Sequence, residues 1–142
     1  MNVKSKASLV LIEKLIVVVV FAICAAACAG IFVESYLMAN SARDLSYALA
    51  AAKNGAERLK AYGNLSDTAE SLGGRVYVDE AISAVVYYDS DWVVSEPDLA
   101  AYVMRIQSAG GSVSELFLSE LSVEKLSGEN ILSFMVAFRS RF

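Results

Sequence analysis

From Leu15 to Val33 the chain reads LIVVVVFAICAAACAGIFV, nineteen residues without a charge. A helix needs roughly 20 such residues to cross a bilayer, so this run decides the class of the molecule before anything else. It also explains a hydrophobic content of 56% and a mean hydropathy of +0.49, which are too apolar for an ordinary soluble domain of 142 residues. Lys4, Lys6 and Lys14 precede the run and Glu34 follows it. The positive-inside bias therefore predicts a single-pass protein with a cytoplasmic N-terminus and an extracytoplasmic remainder.

Charge is divided unevenly. Residues 1–63 carry seven Lys/Arg against four Asp/Glu, and residues 64–142 carry five against twelve, giving +3 and −7. An acidic outer part repels phosphate backbones, so nucleic acid is not an expected partner. The chain has no histidine, which excludes Ser-His and Cys-His nucleophile pairs, an imidazole base and the usual zinc sites. Cys24 and Cys28, the only cysteines, both lie in the apolar run and leave nothing for a disulfide framework elsewhere. The expectation is a structural or binding protein without a catalytic role.

Beyond the apolar run the helical period continues. Ile31, Ser35, Ala39, Ala42, Ser46, Leu49, Ala52, Ala56, Leu59 and Gly63 recur at spacings of three and four, with Arg43, Asp44, Lys53, Glu57, Arg58 and Lys60 as the polar complement. The only proline is Pro97, so nothing before Gly63 has to interrupt a helix from Leu9 to Tyr62, about 80 Å at 1.5 Å per residue. Asn64 to Gly74 reads as the connection to a C-terminal region in which alternation replaces the helical period. Val76 to Val78, Ala84 to Tyr88, Trp92 to Val94 and Tyr102 to Ile106 read as strands, with turns at Asp89-Ser90-Asp91 and Ser108-Ala109-Gly110-Gly111. Val113 to Val123 and Ile131 to Phe138 read as further strands about a turn at Ser127 to Asn130, with Glu115 to Leu121 open to a helical alternative. The predicted fold is α+β: a long N-terminal helix, its first half transmembrane, packed on a small antiparallel sheet. Leu45, Leu49, Ala52, Ala56 and Leu59 are expected to bury against residues such as Val86, Tyr88, Val103 and Phe134.

The N-terminus has its own pattern. Met1 to Ser8 is a short leader with two lysines, and Leu9-Val10-Leu11-Ile12-Glu13 then enters the apolar run. This resembles the class III leader of type IV prepilins and pseudopilins: a short basic leader, a small residue before the cut, and a glutamate fifth in the mature chain. Counted from Leu9, the fifth residue is Glu13, while Ser8 and Leu9 stand where the family has glycine and phenylalanine, and Lys14 where it has an apolar residue. The resemblance implies a pilin-like fold with segments 1–8 (leader), 9–33 (transmembrane and assembly helix), 34–63 (amphipathic helix) and 64–142 (extracytoplasmic sheet). It further implies processing by a prepilin peptidase at Ser8/Leu9, with a cut after Ala7 as the variant, methylation of the new terminus, and assembly with other pilin or pseudopilin subunits. In the family the glutamate pairs with the free α-amino group of a neighbouring subunit, here Leu9, and sets register in the filament. By itself, Glu13 is also an acid in the first turn of a helix, where the dipole favours it.

Other readings of the same residues stay open. Ala25-Ala26-Ala27-Cys28 is a relaxed lipobox that would make Cys28 a lipidated first residue, and Ala27-Cys28-Ala29 suits an ordinary signal-peptidase cut. An uncleaved anchor carrying a binding domain that never polymerises is the alternative of a different class. Asp89, Asp91, Glu96 and Asp98 read either as a solvated acidic loop or as oxygen ligands for Ca²⁺, which some pseudopilins bind. Otherwise no cofactor is expected. Tyr87, Tyr88, Trp92 and Tyr102 read as an aromatic patch divided between core and surface. Arg139 and Arg141 read as partners for acids of an adjacent subunit or as charges that solubilise an edge strand.

Overall fold

The computed structural model describes residues 3–78, 81–113 and 115–140. It contains helix α1 (Val3–Tyr62), helix α2 (Leu65–Leu72) and strands β1 (Arg75–Val78), β2 (Ile82–Tyr88), β3 (Tyr102–Val113), β4 (Leu116–Lys125) and β5 (Asn130–Arg139), with a 3-10 turn at Pro97–Leu99. The chain divides into two compact units, Met1–Ala42 and Arg43–Phe142.

The first unit is helix. Every side chain from Ser5 to Ala42 is exposed, and the apolar run gives α1 a mean hydropathy of 3.0 over its most apolar window, long enough and apolar enough to cross a membrane. The helix begins at Val3 rather than Leu9, because Lys4 to Ser8 holds no residue that breaks a helix. Met1 and Asn2 lie outside the described residues.

The second unit is the expected α+β arrangement, the C-terminal part of α1 packed on a five-stranded antiparallel sheet of order β1-β2-β3-β4-β5. α1 ends where Gly63 takes φ 73° and donates its N–H to the Leu59 carbonyl at 2.8 Å, a left-handed cap. The buried ridge is Ala48, Ala52, Gly55 and Leu59, whereas Leu45 and Leu49 are 47% and 54% exposed, against the expected burial. Space decides this rotation. A Cβ on Gly55 would lie 3.2 Å from Met104 Cε and Sδ and 3.4 Å from Leu121, so the slimmest side of the helix faces the sheet and lets it approach. Ala84, Val86, Tyr88, Met104, Ile106, Leu121, Val123, Val136 and Phe138 complete the core, with Phe134 partly buried against it. Val103 is also buried but outside that core: it pairs with Tyr87 and Glu124, and the pleat turns it to the other face of the sheet.

The sheet departs from the sequence reading in four places. Asn64 to Gly74 contains α2, capped by Asn64 Oδ1, which accepts the Asp67 N–H at 2.8 Å, and closed by Gly73. Trp92 to Val94 is not a strand; only a bridge from Val94 to Tyr88 remains, because Asp89 Oδ1 accepts the N–H groups of Asp91 and Val93 and curls the segment. Ser108 to Gly111 is not a turn: β3 continues through it with a register shift between Ser108 and Ser112, and the reversal falls just before β4. Glu115 to Leu121 is not helical, since Phe117, Ser119, Leu121 and Val123 alternate onto the core face of β4.

Candidate functional site

Ser8, Leu9 and Glu13 lie on the exposed surface of α1 in the first unit. Leu9 and Glu13 are four apart and so share a helix face. Glu13 and Lys14 make no ion pair among the described residues, and because α1 begins at Val3, Glu13 is not an acid of its first turn. Cys24 and Cys28 are free, exposed and also one turn apart. Each of these groups is exposed on the helix surface.

In the second unit the β2–β3 loop folds back on the edge of the sheet near β1. Ser95 donates its N–H to the Tyr87 carbonyl at 2.9 Å, and Glu96 pairs with Arg75 of β1. The acidic residues of this loop do not converge. Asp89 spends one oxygen on the loop backbone, Glu96 on Arg75, and no group of three potential ligands gathers among the described residues.

Trp92 anchors the loop. Its φ is 62°, a costly left-handed conformation for a bulky residue, and its ring stacks on Tyr102 at 4.1 Å and on Tyr47 of α1 at 6.0 Å, with Tyr88 tilted against it at 5.9 Å. Arg43 lies 5.6 Å over the Tyr47 ring. Tyr102 donates its hydroxyl to Asp44 Oδ1 at 2.9 Å, Asp44 faces Lys125 Nζ at 3.5 Å, and Lys125 reaches Glu129 at 2.9 Å. Burial, followed by the hydrogen bond to Asp44, pushes the Tyr102 hydroxyl above its ordinary pKa, and the Glu129 hydrogen bond raises that of Lys125. The expected patch thus forms around Tyr88, Trp92 and Tyr102. Tyr87 turns to the opposite face, where burial and a hydrogen bond with Tyr77 raise its pKa. Tyr47 and Asp44 carry no sequence signal for membership, since Asp44 stands 58 residues from Tyr102.

At the Gly63 end of the same unit an apolar cavity of about 580 Å³ opens between the α1–α2 corner, Val76, Ile82, Phe117 and Phe138. Near it on β4, Ser119 is fully buried with an unpartnered hydroxyl. Arg139 lies 3.8 Å from Glu115, both largely exposed, and Arg141 is outside the described residues. None of these constellations unites a nucleophile with a base. Compared with protein-family models, with curated proteins and with solved structures, the chain matches none.

Proposed function

We propose that this chain is a structural subunit, a minor pilin or pseudopilin, of a type IV pilus or a type II secretion-like filament, held in the membrane before assembly. The observation that carries the reading is the two-part α1. Its first part is exposed from Ser5 to Ala42 and carries the uncharged run Leu15–Val33 with Glu13 just before it, in no ion pair among the described residues, whereas its second part is packed on an antiparallel sheet. In lipid the first part is satisfied by acyl chains. On leaving the bilayer it needs equivalent apolar surface, which parallel helices of other subunits supply. A carboxylate at the margin of the run costs free energy until paired, translocon scales giving roughly 2.5–3.5 kcal/mol for a central acid, and Leu9 freed by a cut after Ser8 would carry the matching α-amino group. The Lys4, Lys6 and Lys14 bias supports a cytoplasmic N-terminus and an extracytoplasmic sheet.

The test is mass spectrometry of the mature N-terminus together with a Glu13→Leu variant. A start at Leu9, with the variant inserting normally but missing from sheared filaments, is the expected result. An intact Met1 in cells that process their other prepilins, or equal incorporation of the variant, would overturn it. The apolar cavity favours a second reading, an anchored extracytoplasmic binding domain, to which a start at lipidated Cys28 or at Met1 would point.

A further inference from the structure

The two flanks of α1 in the second unit are treated differently. Tyr47, Ala51 and Asn54 face the Trp92 loop, and Arg58 donates to the Ser71 carbonyl of α2 at 3.2 Å, so the flank over β1 and β2 is covered. By helical geometry Leu45, Leu49 and Lys53 lie on the other flank, over β4 and β5. There Leu45 and Leu49 are about half exposed, Leu132 and Phe134 of β5 are only partly buried, and β5 pairs with β4 alone among the described residues. Two lysines border this open apolar strip, one of them beside an acid. Lys53 sits 3.9 Å from Glu57 with 75% of its side chain exposed, and Lys60 makes no ion pair among the described residues.

The loop by the covered flank carries the complement. The β2–β3 loop exposes Val93 (59%) and Leu99 (75%), flanked by Asp91 and Asp98, which make no ion pairs among the described residues. Asp89 and Glu96 are already engaged, so these two aspartates are the acids left to face outward. An apolar loop with acidic borders and an apolar strip bordered by lysines thus lie on opposite flanks of α1 in one unit.

We propose that the Val93–Leu99 loop of one copy docks on the Leu45/Leu49 flank of α1 in the next, with Asp91 and Asp98 facing Lys53 and Lys60. The two surfaces differ, so the contact is heterologous, and repeated head-to-tail it propagates instead of closing on a two-fold axis. Charge complementarity sets the register, and apolar contact between the exposed leucines and valines supplies the attraction. The proposal names a lateral contact within the subunit reading above and rests on it.

The experiment uses the full-length chain in its membrane, with Cys24→Ala and Cys28→Ala as background and Leu49→Cys plus Leu99→Cys added. Mild oxidation is expected to give a covalent ladder through trimers and beyond, while either single cysteine gives dimers at most. Products that stop at dimer, or a double variant no more reactive than the two singles together, would overturn the contact. Lys53→Glu should reduce the ladder up to about fivefold, the reach of an exposed charge pair, and Asp98→Lys added to it should restore the yield. No restoration would count against the pairing. Filaments that contain the chain yet give no ladder would refute this contact and leave the subunit reading standing. A ladder from a chain that never enters filaments would support the contact and remove that reading.

Discussion

In the first unit every described side chain from Ser5 to Ala42 is exposed, whereas further along the same helix Ala48, Ala52 and Leu59 are fully buried. The first stretch is the more hydrophobic of the two, yet it buries nothing within the chain. Hydrophobicity therefore does not decide which part of α1 belongs to a core; the presence of a sheet with a matching surface does. Even within 43–62 the larger apolar residues lose. Leu45 and Leu49 stay half exposed while alanines and Gly55 take the contact, because a slim ridge lets the helix come down onto Met104 and Leu121.

The sharpest way to break this comparison is to place charge on each side of it. A fragment lacking Met1 to Val33 is expected to be a folded α+β domain, since every described residue of the core lies within the second unit. In that fragment Leu59→Asp puts an unpaired carboxylate where no side-chain surface is exposed, and it should cost about 4 kcal/mol or more, enough to unfold a small domain. Circular dichroism and urea titration would read this directly. A midpoint equal to that of the parent fragment would show that the ridge is misplaced.

A smaller effect is expected where the helix meets the aromatic stack. Tyr102→Phe removes the donor to Asp44 and should cost about 1 kcal/mol at neutral pH. Its pH dependence has a definite sign. The folded protein holds the Tyr102 proton more tightly than the unfolded chain does, so the stabilisation is complete below the ordinary pKa of 10.0 and is lost as pH rises through the higher folded value. The gap between parent and Phe variant should therefore narrow above pH 10. A gap that stays constant to strongly alkaline pH would mean that the hydroxyl is not held by the fold.

The smallest change is the most instructive. Leu49→Asp should shift the fragment's stability by no more than about 0.5 kcal/mol, because that leucine is 54% exposed. Periodicity places Leu49 and Leu59 on the same face, so a loss at Leu49 approaching that at Leu59 would restore the periodicity reading against the structure.

Much of the architecture was written locally. The length and apolarity of Leu15–Val33, the absence of proline before Gly63 and the alternation along β4 and β5 fix a long helix followed by antiparallel strands, because each rests on neighbours within a few residues. The cap of α2 at Asn64 and Asp67 was equally local, although its flanking glycines make the segment look like a connection. Other outcomes had no local signal. Whether Ser108 to Gly111 would turn or bulge depended on β4 continuing to pair with β3 beyond it, and the stacking of the Trp92 ring depended on Tyr47 and Tyr102 from distant segments. The candidate site divides the same way: Ser8, Leu9 and Glu13 come from a resemblance carried by a short stretch of sequence, whereas the loop and strip on the two flanks of α1 exist only once the sheet sets the rotation of the helix. Sequence determines what each segment prefers, since propensity and period are short-range. Only tertiary packing decides which side chains are buried, because that choice turns on how closely two surfaces can approach.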